Sequence, residues 1–232
     1  MSTSFVEKAI KAAMNLPGVK VDRDGFLQNN FRKYGNSEQL SSKSTREIYG
    51  DKEIDEVAKA VVKRHITEVT ALSAASGLPG GLWAIPASIG DLSNFYAQLL
   101  ITAQKLAYVY GMPDILDGKD DLDENAYQTL IVLLGVAAGV EGASQMFAKI
   151  AQGAVKQYAK KIAAKPASNM IKQIVTKILE FLGKKSTDKA VEGFIKKSIP
   201  GVSAIISGAL TYASFRPMTK RLKKELKKDI VL

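Results

Sequence analysis

Apolar residues recur every three or four positions along most of the chain, the spacing of one helix face, and this predicts an all-α protein. A first helix is expected over residues 3–15, with Phe5, Ile10 and Met14 apolar, ended by Pro17 and Gly18. Residues 21–50 are polar and turn-rich, with one short helix around Phe26–Tyr34. A long helix then runs from Asp51, or a capping neighbour, to about Ser76. Ile54, Val57, Val61, Val62, Ile66, Val69 and Leu72 mark its apolar face, while Glu53, Asp55, Glu56, Lys59, Lys63 and Arg64 fall largely off it.

From Val69 to Gly90 no residue is charged, yet Gly77, Pro79, Gly80, Gly81 and Pro86 would break any single helix. The stretch is too broken for a simple membrane span and too apolar for an ordinary loop. It predicts two helices folded against each other across a tight corner, either deep in a core or dipping into a bilayer. Pro86 can open the second helix, where its missing N–H costs least. That helix would bury Leu92, Phe95, Tyr96, Leu99, Ala103, Leu106 and Tyr110; Gly111 ends it and Pro113 bars continuation.

After an acidic loop, residues 125–148 read as one apolar helix carrying Gly135, Gly139 and Ala143 on a stripe that admits a close neighbour. The chain turns basic near Lys149 and breaks at Lys165-Pro166, with further helices over 167–182 and 187–197. Ser198–Phe215 is again uncharged. Beyond Arg216-Pro217, Met218, Leu222, Leu226 and Ile230 recur every four residues among lysines, a basic amphipathic helix. The whole predicts a single multi-helix bundle around a central Gly/Pro-cornered apolar hairpin. Residues 1–50 form an N-terminal helix and polar segment, and 51–232 a helical domain with a basic end.

Composition narrows the chemistry. With 46% apolar residues over 232 positions there is enough for a full core, and with no cysteine there is neither a disulfide nor a thiolate site. The N-terminus lacks the long apolar run of a secretory leader. The net charge of +10 hides a split: from Lys149 onward there are 19 Lys/Arg against 5 Asp/Glu, and before it 14 against 18. The last third is therefore expected to meet something negative, or to fold onto the acidic part of its own chain.

No catalytic residue, cofactor or metal site is assigned. The chain has no Walker loop, GxGxxG or GxSxG, and Gly-Leu-Pro-Gly-Gly-Leu lacks the Lys-Ser/Thr of a phosphate cradle. His65, the only histidine, reads as a core or boundary residue rather than a base, and one His without Cys does not make a zinc site. Asp91 reads as a helix-start acid favoured by the dipole; the alternative is a core acid paired with Lys105 or His65, and Glu141 interrupts its apolar run in the same way. The carboxylates of 114–124 do not fit a calcium loop, and Asp123 serves better as an N-cap. The candidate membrane or partner contacts are Trp83, Lys220, Arg221, Lys223, Lys224, Lys227 and Lys228. The terminal helix either lies on an anionic bilayer or packs its stripe on the domain. Nucleic acid is not expected, since the basic third lacks interleaved stacking aromatics and any known binding motif.

Three stretches in order, ASGLPGGL…IPASIGDL…YAQL within Ala75–Gly111, the apolar helix Thr129–Gly139, and KSIPGV…GA before a basic end within Lys197–Lys228, resemble the bacterial EcsC family over roughly residues 50–225. The family's molecular activity is undefined and it supplies no catalytic residues to carry over. The resemblance implies a helical bacterial protein, membrane-associated or cytoplasmic. The leading expectation is a non-enzymatic protein of the cytoplasmic face, peripheral to the inner face of the membrane through the apolar hairpin and the basic C-terminal third. Its expected partner is an anionic surface or a membrane protein. A soluble adaptor or immunity-type protein with an acidic protein partner is the alternative, and a pore-forming effector a further one.

Overall fold

The computed structural model describes residues 3–75, 89–116, 123–151, 176 and 202–229. Among these there are helices and turns and no strand, an all-α, multi-helix fold. The helices are α1 (Thr3–Met14), α2 (Arg23–Phe31), α3 (Thr45–Ile48), α4 (Asp51–Ala75), α5 (Ile89–Val109), α6 (Glu124–Ala138), α7 (Ala143–Lys149) and α8 (Val202–Asp229). Two 3₁₀ turns, Arg32–Tyr34 and Ser37–Ser41, follow α2.

Local sequence explains most of the boundaries. Asp22 accepts from the Gly25 N–H at 3.2 Å and starts α2 earlier than its apolar pattern suggested. Ser44 and Glu47 form a reciprocal capping box on α3. Glu53 reaches back to the Gly50 N–H at 2.6 Å, so Asp51 is the first helical residue of α4 and its neighbour takes the capping position. Asp123 caps α6 through the Ala126 N–H at 2.9 Å, as its sequence position implied.

The apolar helix expected over 125–148 is not continuous. Gly139 (φ 74°) and Gly142 (φ 83°) take left-handed backbone and split it into α6 and α7. The Gly139 N–H bonds the Val136 carbonyl and the Val140 N–H bonds the Gly135 carbonyl, a Schellman ending that an uncharged run concealed. The Gly135–Gly139–Ala143 stripe therefore does not lie along one helix. Conversely, α8 runs through Pro217 as a single helix where the sequence suggested a boundary. Phe215, Met218, Leu222 and Leu226 are all 1% exposed or less, and that packing outweighs the lost N–H.

α4 runs antiparallel to both α5 and α8. Along the first pair His65 meets Gln98 and Asp55 meets Tyr110; along the second His65 lies 6.1 Å from Phe215 and Asp55 meets Lys227. α1 packs on α5, and α8 also covers α6. α4 and α5 are thus paired as the arms of the expected hairpin, while its corner, with Gly77, Pro79, Gly80, Gly81, Trp83 and Pro86, lies outside the described residues, as do the expected helices over 167–182 and 187–197. Ile10, Leu27, Phe31, Leu40 and Tyr49 belong to the same buried cluster as the residues of α4–α8. Gln104 of α5 ties down the link between α1 and α2, donating to Val19 O at 2.8 Å and accepting from Val21 N at 3.3 Å.

Candidate functional site

α8 has two faces. Met218, Leu222 and Leu226 are buried against the bundle, while Lys220, Lys224 and Lys228, at the same four-residue spacing on the opposite side, are exposed. From Met218 to Leu226 the apolar stripe is covered by the protein itself, and Ile230 lies outside the described residues. What α8 presents outward is a ridge of ammonium groups.

The other candidate contacts of α8 are engaged internally. Arg221 lies over the left-handed end of α6 and donates to the Ala137 and Ala138 carbonyls at 3.4 Å each. A Cβ on Gly139 would meet the Arg221 guanidinium at 3.1–3.3 Å. Lys227 bonds Asp55 at 2.5 Å, and the other oxygen of that carboxylate accepts from the Tyr110 hydroxyl at 2.7 Å. Burial pushes the Asp55 carboxyl up, but the hydrogen bonds from Lys227 and Tyr110 and the charges of Lys227 and Lys223 outweigh it and hold it below its ordinary value. Lys223 is half-buried, and burial pushes its ammonium down. On the ridge itself, Lys228 pairs with Glu225 at 3.4 Å across an exposed surface.

Two arginines of the polar N-terminal segment, singled out by nothing in the sequence pattern, organise helix ends. The Schellman turn of α5 places Gly111 at φ 100° and uses the Ala107 and Tyr108 carbonyls. The next four carbonyls are met by side chains: Val109 by Thr45 (3.0 Å), Tyr110 by Arg46 (3.0 Å), Gly111 by Ser44 (3.2 Å) and Met112 by Arg23 (3.2 Å). Arg46 also donates to Leu226 and Lys227 O near the end of α8, at 3.3 Å each. Cationic groups at carbonyl-rich helix ends also gain from the dipole. The S-T-R-E capping box was the one sequence signal for this region; nothing in the local pattern pointed to Arg23 or Arg46.

His65 is 3% exposed, with Nε2 3.1 Å from the Gln98 carbonyl oxygen. Burial, then the charge of Lys105, lowers its pKa to about 4, so the ring is neutral near pH 7. Asp91 is the third described residue of α5, which is described from Ile89 onward; its side chain is not among those described. Glu141 sits exposed in the α6–α7 turn. Among the described residues no helix is long and apolar enough to cross a membrane, and no group of His, Asp and Glu is arranged to hold a metal ion. Compared with family models, with curated proteins and with solved structures, the chain finds no match.

Proposed function

We propose that this is a non-enzymatic helical protein that docks peripherally on an anionic bilayer surface through the outer face of α8. The observation that carries the reading is the exposed row Lys220, Lys224 and Lys228, backed by a helix whose apolar side is already buried. Such a face attracts lipid headgroups by charge without inserting. Each lysine brought to an anionic surface adds about 1 kcal/mol, and salt screens the attraction within a Debye length. The excess of basic residues from Lys149 onward adds to the attraction for an anionic surface, and the resemblance to the EcsC family is in keeping with a bacterial, inner-face location.

The test is flotation of the purified protein with neutral and with anionic liposomes. Binding is expected to anionic vesicles at low salt, to be lost at high salt, and to be abolished by Lys220→Glu, Lys224→Glu and Lys228→Glu together. Salt-resistant binding to neutral vesicles would instead point to insertion of residues 69–90 and 198–215. No binding to anionic vesicles at low salt would sink the membrane reading and favour an acidic protein partner for the same ridge.

A further inference from the structure

Apart from the lysine ridge, the N-terminal segment and α4 enclose a cleft of about 500 Å³, lined among others by Asn29, Arg32, Lys33, Glu56, Ala60 and Arg64. Its framework is pinned. The Phe31 ring stacks on Tyr49 at 4.5 Å, the Tyr49 hydroxyl donates to the Gly35 carbonyl at 2.6 Å, and the Tyr34 hydroxyl donates to Glu56 at 2.8 Å. The 3₁₀ turn that carries Arg32 and Lys33 is thus held to α4 by Tyr34 and to Tyr49 by Gly35. Within the cleft the charges do not balance. Glu56 is the one carboxylate among the lining residues. It already has a cation: Lys33 lies with its Nζ 4.5 Å over the Tyr34 ring, and Tyr34, then the charge of Glu56, raise its ammonium above the ordinary value. Arg32 and Arg64 are left over. Both are exposed, and neither side chain makes a hydrogen bond or an ion pair among the described residues. Ala60, one turn before Arg64 on α4, is too short to fill the opening.

We propose that this cleft binds a phosphate monoester, held between the guanidiniums of Arg32 and Arg64. A guanidinium is always charged and presents paired N–H donors that match two phosphate oxygens. Near pH 7 a monoester carries a charge of about −1.5 to −2, which answers two guanidiniums. A diester or a carboxylate carries one negative charge and leaves half of the excess standing; a neutral alcohol leaves all of it. Both arginines are open to solvent, so the ligand reaches them directly, and the Asn29 amide in the same lining offers a further donor. Because the turn is already pinned, less order has to be imposed on binding. The same chemistry is offered by free phosphorylated solutes and by the headgroup of phosphatidic acid.

Protein labelled with ¹⁵N-arginine, titrated with glycerol 3-phosphate at constant ionic strength, decides it. The Nε resonances of Arg32 and Arg64, each assigned by its own substitution, are expected to move saturably. Arg32→Gln and Arg64→Gln are each expected to weaken binding about tenfold, the loss of one charge-assisted pair. Neither side chain holds the fold together, and an unchanged urea midpoint checks that. Glu56→Gln keeps an acceptor for Tyr34 and removes the opposing charge, so it should strengthen binding. Dimethyl phosphate, a monoanionic diester, is expected to bind at least about fivefold more weakly. Binding of glycerol 3-phosphate assigns the cleft to a solute; binding only of a short-chain phosphatidic acid assigns it to a headgroup, and either supports the proposal. It is overturned if neither probe moves these two resonances, if dimethyl phosphate binds equally well, or if both arginine variants bind like the unaltered protein. The triple α8 charge reversal should leave this titration unchanged, so failure of membrane docking and failure of the cleft are read separately.

Discussion

At the scale of single residues, His65 shows what burial does to a titrating group. Folded, it takes a proton only near pH 4; unfolded, near its ordinary 6.5. Between those values the unfolded chain binds more protons, so stability rises with pH across that window. His65 contributes fully above about 6.5, and its share, about 3 kcal/mol, is lost as the pH falls to about 4. Asp55 acts with the same sign at lower pH, because its carboxyl is held below the ordinary value and its contribution disappears as it is protonated. Urea unfolding at a series of pH values should show both steps, and His65→Gln should flatten the first and spare the second. If the slope between pH 6.5 and 4 survives the substitution, the neutral buried imidazole is not its source. The sequence placed His65 correctly at the core boundary, because it lies between Val61 and Val69 on an apolar face. It had no way to show that Arg23, 9% exposed, and the partly buried Arg46 would be drawn in. Their partners distant in sequence are backbone carbonyls, and a carbonyl leaves no trace in the pattern of side chains.

Among elements, legibility followed periodicity. The stripe Ile54–Val69 of α4 and the stripe Met218–Leu226 of α8 were visible because helical burial repeats every turn. The bland reading of the second, packing on the domain, is the one the structure bears out for Met218, Leu222 and Leu226. Two local rules gave way to tertiary context. Gly139 ended one helix and Gly142 opened the next inside an apolar run that only Glu141 interrupts, where Arg221 could close over the exposed carbonyls. Pro217 failed to end one, because buried side chains flank it on both sides. Removing that proline tests the continuity of α8. Pro217→Ala restores a donor and relieves the ring clash, so it should raise the unfolding free energy by roughly 1–3 kcal/mol, measured as a shift in urea midpoint at constant slope. If α8 were two helices meeting at a bend, the same change would be neutral or destabilising.

At the scale of the whole molecule, the described residues share one buried cluster, and the segment before α4 is built into it. Ile10, Leu27, Phe31, Leu40 and Tyr49 are each 8% exposed or less, and Ser44, Thr45 and Arg46 meet the carbonyls at the end of α5. Deleting residues 1–50 should therefore abolish cooperative unfolding of the remainder, not release an independent domain; near-UV circular dichroism and a single sharp thermal transition in the shortened chain would contradict this. The bonds from Arg46 to Leu226 and Lys227 span 180 and 181 residues of chain. At a synthesis rate of about 5–20 residues per second, Arg46 leaves the ribosome roughly 10–40 s before α8 exists to receive it. Through that interval the nascent bundle lacks the helix that covers α4 and α6, and their apolar faces stand open to any chaperone at the tunnel exit. Covering those faces falls to α8, so its arrival is expected to lower the tendency of the nascent chain to aggregate.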